Sequence, residues 1–84
     1  MATGIVKAYD DEKNTYSIEV DYKNKKYIFE YRTDIPYTAK NGREMNGCWV
    51  KEEPNINDVV EYNYGMTEID GKKVKFLKFL NVLE

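Results

Sequence analysis

Histidine is absent from this 84-residue sequence, and cysteine and serine occur once each, as Cys48 and Ser17. A Ser-His or Cys-His nucleophile therefore cannot be assembled, and no cluster of cysteine and histidine ligands can bind a metal. Three neighbouring acids, at positions 10–12, lie in a polar turn, where carboxylates are usually solvated. We therefore expect a binding protein that is not an enzyme and that holds no metal and no cofactor.

The single cysteine also excludes an internal disulfide. The lack of disulfides is typical of proteins in a reducing compartment. The sequence does not open with a basic segment followed by an apolar run, and nowhere are roughly 18 uncharged apolar residues consecutive. These features predict a cytoplasmic protein without a signal peptide or a membrane segment. Free cysteine is more often a small buried hydrophobe than a reactive thiol, so we expect Cys48 to be buried.

Aromatic residues are abundant, with eight Tyr, three Phe and one Trp making up 14% of the chain. Such an enrichment suits both half-buried strands and the stacking of nucleobases. The net charge of -2 provides no global field that would attract a polyanion, so nucleic-acid binding would need a local basic patch. A chain of this length forms one domain, covering residues 1–84.

The clearest structural signal lies in residues 15–32, where apolar or aromatic side chains occupy every second position. This period is that of a half-buried β-strand, and a two-residue turn at Asn24 and Lys25 would make the stretch a hairpin. The predicted cross-strand pairs are Tyr22 with Tyr27, Val20 with Phe29, Ile18 with Tyr31 and, on the outward face, Glu19 with Glu30.

Three more strands are predicted, at residues 4–9, 59–64 and 72–82. A polar turn at residues 10–14 joins the first strand to the hairpin, Gly65 is expected to end the fourth strand, and Asp70-Gly71 signals a second hairpin turn. In the last strand Val74 and Phe76 point to one face, whereas Leu77 and Phe79 point to the other. The apolar, inward-facing side of the strand is therefore expected to switch between Phe76 and Leu77. A bulge, or burial of both faces at a barrel seam, would explain the switch.

Residues 33–54 are rich in turn formers, including Pro36, Pro54 and two Asn-Gly pairs, and predict a long loop between the third and fourth strands. We expect a short turn at residues 35–37 and packing of residues 48–51 against the body of the domain. For Trp49 two interpretations stay open, a plug that packs the loop onto the barrel and a contact to a ligand or partner. Five short strands suggest a small closed or nearly closed barrel.

Residues 4–20 begin Gly-Ile-Val-Lys-Ala-Tyr-Asp and resemble the opening of bacterial cold-shock domains, Gly-x-Val-Lys-Trp-Phe-Asn. Residues 27–31, Tyr-Ile-Phe-Glu-Tyr, are similar to the family's second RNA-binding motif, and residues 55–62 to its turn and fourth strand. The likeness covers most of the chain except residues 33–54, where this sequence is longer. It implies an all-β, small five-stranded barrel of the oligonucleotide-binding (OB) type, cold-shock-domain-like, with a long loop between strands 3 and 4.

The resemblance also identifies positions where the family stacks bases on outward aromatic side chains. This sequence has no aromatic residue at any of them, and its residues there are Ala8, Thr15, Ser17, Ile28 and Glu30. Stacking is worth roughly 1 to 3 kcal/mol per base, so these replacements weaken family-like binding strongly. Lys7, Lys13 and Tyr31 are retained, and we expect Lys7 to lie beside Glu19 and Glu30.

Four lysines, at positions 72, 73, 75 and 78, occur in seven residues without an acid among them. They can contact phosphates, or they can protect a strand edge against aggregation, and both interpretations stay open. The first hypothesis is binding of single-stranded RNA or DNA; the alternative is a protein-interaction module that uses the 33–54 loop, with Tyr37, Met45 and Trp49, as its contact surface. The candidate nucleic-acid-binding residues are Lys7, Tyr9, Lys13, Tyr31, Tyr37, Trp49, Lys72, Lys73 and Lys75.

Overall fold

The structure, a computed structural model, describes all 84 residues and consists of strands and turns without a helix. No helix is therefore present that is long and apolar enough to cross a membrane. The strands are β1 (Ala2–Asp10), β2 (Thr15–Tyr22), β3 (Lys25–Arg32), β4 (Tyr37–Thr38), β5 (Glu44–Met45), β6 (Trp49–Val50), β7 (Val59–Ile69) and β8 (Lys72–Val82).

Five long strands close into a barrel in the order β3-β2-β1-β7-β8. Neighbouring strands are antiparallel except at the closure, where β3 and β8 pair in parallel at Arg32 and Phe76. The short strand β6 adds in parallel to β8, and β4 and β5 form a separate small hairpin. The predicted all-β fold is confirmed: the barrel is consistent with a small OB type, and a long loop joins its third and fourth strands.

The β2–β3 hairpin forms with a register two residues away from the predicted one. Its turn residues are Lys23 and Asn24, which both adopt positive φ, at 50° and 64°. Because side chains alternate with a period of two, this shift keeps the predicted inward and outward faces. The pairs are Tyr22 with Lys25, Val20 with Tyr27, Ile18 with Phe29 and Tyr16 with Tyr31.

The shift makes the predicted contact between Glu19 and Glu30 wrong. Glu19 lies opposite Ile28, and its Oε1 is 3.9 Å from the Nζ of Lys26. Glu30 lies opposite Ser17 instead. On the outward face Glu19 therefore forms a long ion pair with Lys26 and is not paired with a second glutamate.

Strand β7 continues past Gly65 to Ile69, so the prediction that Gly65 ends it is wrong. Gly65 lies opposite Phe76 in β8, and a Cβ at this position would be 2.8 Å from the Cζ of Phe76. The glycine is needed because the aromatic ring lies over the backbone at this point in the strand. The second hairpin turn is at Asp70 and Gly71 as predicted, with φ values of 51° and 78°.

The neighbouring buried residues Phe76 and Leu77 have one of the two predicted causes, burial of both faces at the barrel seam, and a β-bulge lies one residue further along β8. Asn63 pairs with Phe79 and Tyr64 pairs with Leu77, so Lys78 is the extra residue of a β-bulge. Leu77 is buried in the barrel core, while Phe76 is buried beside the barrel seam and packs against the ring of Tyr37, at 6.0 Å.

The long loop is attached to the barrel through β6, which confirms the predicted packing of residues 48–51. Cys48 and Val50 pack against the core cluster, and burial raises the pKa of the Cys48 thiol to about 11. The indole of Trp49 is 54% exposed, so it is not a plug. Residues 35–36 form no turn and lead directly into β4, which contradicts the prediction of a turn at 35–37.

Candidate nucleic-acid interface

A depression with a volume of about 520 Å³ lies at the end of the barrel, between the β2–β3 and β7–β8 hairpins. Eight of the ten residues that line it are hydrophobic, and six of these are aromatic. We call it the aromatic bowl; its lining is Tyr22, Tyr27, Phe29, Tyr31, Tyr62 and Tyr64, with Ala2, Thr3, Val20 and Asp21.

Strand lengths explain why this aromatic surface is open. Strand β1 begins at Ala2, opposite Tyr62, so residues 63–69 of β7 have no partner in β1. Pairing between β1 and β2 likewise stops at Glu19, which leaves the end of β2 uncovered. Inward-facing rings on these extensions therefore lie beyond the packed core and stay accessible to solvent.

The floor of the bowl is formed by Tyr31 and Tyr62, which are both buried. Their hydroxyl oxygens are 3.3 Å apart, at hydrogen-bond distance, so neither phenol is left without a partner. Burial, followed by this hydrogen bond, holds the pKa of Tyr31 well above its ordinary value. The floor is therefore neutral at physiological pH.

Exposed rings and lysine side chains form the rim of the bowl. Tyr22, Tyr27 and Tyr64 are each at least 40% exposed. The Nζ of Lys75 lies 4.7 Å from the centroid of the Phe29 ring, and the Nζ of Lys23 lies 5.3 Å from that of Tyr22. Asp21 is the one acid in the lining, and Lys26 lies opposite it in β3.

A second, polar surface lies beside the bowl at the seam between β3 and β8, and we call it the polar cleft. It has a volume of about 560 Å³ and contains Lys13, Arg32, Lys73 and Lys75 together with Glu12, Glu30 and Asp34. Arg32 donates to both carboxylate oxygens of Asp34, at 2.9 and 2.8 Å, and this pairing lowers the pKa of Asp34. The four basic side chains of the cleft, two of which belong to the lysine cluster of β8, therefore face three acids.

A third depression, with a volume of about 490 Å³, lies between the β4–β5 hairpin and the bulged part of β7 and β8. Its lining contains two lysines and no acid, and we call it the loop groove. Trp49 lies beside it and stacks on Phe79 with ring centroids 5.2 Å apart. The lining residues are Tyr37, Thr38, Ala39, Lys40, Asn63, Tyr64, Lys78 and Phe79.

The structure separates the sequence-predicted site residues. Lys13, Lys73 and Lys75 meet in the polar cleft, and Tyr37 and Trp49 lie at the loop groove. Tyr31, another candidate residue, is inward-facing and only 2% exposed, so its ring offers little surface for stacking.

The other predicted residues lie apart from these surfaces. Lys7 is the bulged residue of β1 and donates to Asn57 Oδ1 at 3.1 Å, so it is not placed beside Glu19 and Glu30 as we expected. Tyr9 packs on Tyr16, at 4.5 Å, towards the other end of β1. Lys72 lies next to the turn of the β7–β8 hairpin.

The acidic turn after β1 is organised by backbone contacts. Asp10 Oδ1 accepts hydrogen bonds from the backbone N–H groups of Glu12 and Lys13, at 3.0 and 3.2 Å. No group of three or more acidic or cysteine side chains in the structure is arranged to hold a metal ion. The carboxylate of Asp10 therefore shapes the turn.

The outer face of β1, β2 and β3 carries no aromatic residue where cold-shock domains stack bases. Ala8, Ser17 and Glu30 form one cross-strand row there. The exposed aromatic rings that sequence reasoning missed are Tyr22, Tyr27 and Tyr64, at the barrel end. The signal that identifies them is that β2 and β7 extend beyond the end of β1. An inward-facing side chain is buried only where a neighbouring strand covers it.

Comparison with models of known protein families, with curated proteins and with solved structures finds no match for this chain. The fold alone defines its class, an all-β, five-stranded closed barrel consistent with a small OB type.

Proposed function

We propose that this chain is a small single-stranded nucleic-acid-binding protein that stacks bases in the aromatic bowl, and not on the outer face that cold-shock domains use. The observation that carries the proposal is the exposure of Tyr22, Tyr27 and Tyr64 in one concavity with lysine ammonium groups at its rim. Aromatic rings interleaved with basic groups are the common arrangement for binding single strands, since every base has a face that can stack.

The charges at the bowl favour an anionic ligand with planar groups. Lys75 and Lys23 already lie over the faces of Phe29 and Tyr22, so a cationic ligand would meet like charge at these rings. A phosphate would be attracted by the same ammonium groups. Both lysines can contact the backbone of a strand whose bases enter the bowl.

The affinity should be modest, because the chain has a net charge of -2 and few stacking platforms. Of the three exposed rings, Tyr27 and Tyr64 have no lysine over their faces, whereas Lys23 lies over Tyr22. Two such platforms at roughly 1 to 3 kcal/mol each, with one or two phosphate contacts, correspond to a Kd between about micromolar and millimolar. Titrations must therefore reach high protein concentrations. Binding should also weaken as the salt concentration rises, because phosphate contacts release counterions.

The test is fluorescence polarisation of labelled single-stranded DNA and RNA oligonucleotides at low and at physiological salt. Tyr27→Ala should weaken binding roughly tenfold by removing one stacking platform. Ile28→Ala is the matched control, because Ile28 is the next residue of β3, is also exposed, and faces away from the bowl. Its affinity should remain that of the natural protein.

Charge is tested separately with Lys75→Glu, which should reduce the slope of log Kd against log salt by about one or more. Lys51→Glu makes the same charge change at an exposed loop residue outside the bowl. The absence of any binding at low salt would overturn the proposal. Equal losses in Tyr27→Ala and Ile28→Ala would overturn the assignment to the bowl.

A protein-interaction module is the second candidate, and one observation favours it. Strand β6 is the last strand of the sheet, so its outer edge has no neighbour and Trp49 is exposed beside it. An extended peptide could add to such an edge through backbone hydrogen bonds. That interaction would be nearly insensitive to salt and to Lys75→Glu, which distinguishes it from nucleic-acid binding.

A further inference from the structure

We infer that the loop groove is a second subsite for the same strand, which holds the phosphodiester backbone and stacks a base on Trp49 after the strand leaves the aromatic bowl. This inference rests on the proposed function. It assigns a role in binding to the long loop, the part of the chain for which the family resemblance gives no counterpart.

Charge is the first argument for this subsite. Lys40 and Lys78 line the groove, and no carboxylate lines it. The polar cleft, in contrast, contains Glu12, Glu30 and Asp34 among its lysines. A phosphate in the loop groove would therefore meet two ammonium groups without a repelling acid in the lining, which makes this groove the better anion site of the two.

Stacking is the second argument. Asn63, Phe79 and Trp49 lie in one cross-strand row on β7, β8 and β6. Trp49 stacks on Phe79 with an angle of 28° between the rings, and more than half of the indole remains exposed. The supported indole is a platform for a base, and the exposed amide of Asn63 can both donate to and accept from a base edge.

The groove is held in shape before a ligand arrives. The Tyr37 hydroxyl donates to the backbone carbonyl of Lys78 at 3.0 Å and ties the loop to β8. Lys78 is the bulged residue, and its Nζ lies 5.6 Å from the ring centroid of Tyr37. Bulges often redirect a side chain near a functional site, and here the bulge brings a lysine to the groove. Little ordering of the protein is then needed on binding.

Continuity with the bowl is the third argument. Tyr64 lines both surfaces, and its ring lies 5.4 Å from that of Tyr31 in the floor of the bowl. A strand that stacks on Tyr27 can therefore pass Tyr64 and enter the groove, whose lining contains no acid. The two subsites together form one track from the β2–β3 hairpin to β6.

The experiment compares a labelled thymidine oligonucleotide of about two nucleotides, enough for the bowl, with one of about eight, within the usual range for an OB fold. Trp49→Ala should weaken binding of the longer oligonucleotide roughly tenfold and leave the shorter one unchanged. Lys40→Glu should lower the salt dependence for the longer oligonucleotide alone. Lys51→Glu, in the same loop but outside the groove, is the matched control.

Fluorescence of Trp49, the one tryptophan in the chain, is a direct readout on the natural protein. The longer oligonucleotide should quench it and the shorter one should not. If the longer oligonucleotide binds with no quenching and with natural affinity in Trp49→Ala, the groove subsite is overturned while the bowl remains. If Tyr27→Ala also leaves both affinities unchanged, the bowl is overturned as well.

Discussion

At the scale of single residues, the pairing of Tyr31 and Tyr62 shows how this barrel combines burial with a polar group. Both phenols lie in the core, and each hydroxyl finds the other at 3.3 Å. Removing one hydroxyl leaves its partner buried and unpaired, whereas removing both leaves two apolar rings of nearly the same shape.

A double-mutant cycle tests this pair. Tyr31→Phe and Tyr62→Phe should each lower the free energy of unfolding by about 1 kcal/mol, and the double variant should lose clearly less than the sum of the two. Urea unfolding measures all four proteins. Additive losses would mean that the two hydroxyls do not depend on each other, for example because each finds a separate partner.

The same variants separate stability from binding. Because Tyr31 is buried, Tyr31→Phe should leave the affinity for single strands unchanged. Phenylalanine keeps the aromatic ring, so this variant removes the buried hydrogen bond and leaves the floor of the bowl aromatic.

At the scale of elements, the alternation of apolar and polar residues predicts the five barrel strands, because its period of two is visible without knowledge of the neighbours. The register of β2 and β3 is not visible in the same way. Shifting the turn from Asn24-Lys25 to Lys23-Asn24 changes every partner and keeps every face. The conformational preferences of the turn residues decide between the two registers. Neither Asn24-Lys25 nor Lys23-Asn24 is the preferred Asn-Gly pair, so the sequence does not distinguish them.

The candidate site is predicted less completely than the fold, for a physical reason. The alternation of apolar and polar residues shows that Tyr22, Tyr31 and Tyr64 face inward. The lengths of the neighbouring strands decide that Tyr31 is buried and that Tyr22 and Tyr64 are exposed. The lysines of β8 are visible as a cluster in the sequence. The acids that face Lys73 and Lys75 come from β3 and from distant turns, so their effect appears only in three dimensions.

The β2–β3 turn gives a prediction at this scale. Lys23 and Asn24 both adopt a left-handed conformation, which asparagine and glycine tolerate better than lysine does. Replacing the pair by Asn-Gly should therefore raise the free energy of unfolding by about 0.5 to 1 kcal/mol.

Thermal unfolding with a parallel urea titration measures this gain. The matched control is Gly71→Ala, at a turn position with φ of 78° and open space around it, which should lose stability through backbone strain alone. A loss of stability in the Asn-Gly variant would show that the side chain of Lys23, over the ring of Tyr22, matters more than the turn conformation.

At the scale of the whole molecule, the chain has few fully buried residues, and tyrosines are prominent among them. The core cluster has eight residues, of which Tyr16, Tyr31 and Tyr62 carry hydroxyl groups. A core that contains ionisable phenols is stable only while they stay protonated. Alkaline conditions should therefore test the barrel as a unit.

Burial is the largest cause of the raised pKa values of Tyr16, Tyr31, Tyr37 and Tyr62, and burial raises that of Cys48 to about 11. In the unfolded chain these groups lose their protons at lower pH, so the unfolded state binds fewer protons than the folded state in alkaline solution. Their contribution to stability is fully present below about pH 8 and is lost as the pH rises through the folded pKa values.

Urea unfolding should accordingly show a nearly constant free energy of unfolding from about pH 7 to pH 8 and a progressive loss between about pH 9 and pH 11.

Cys48→Ala should remove the earliest part of this alkaline loss, because the thiol has the lowest ordinary pKa of the group. Tyr31→Phe, although less stable at neutral pH, should show a shallower fall above about pH 10. A free energy of unfolding that stays constant up to about pH 11 would contradict the burial of these groups. A steep fall that Tyr31→Phe leaves unchanged would place its cause in another tyrosine of the core.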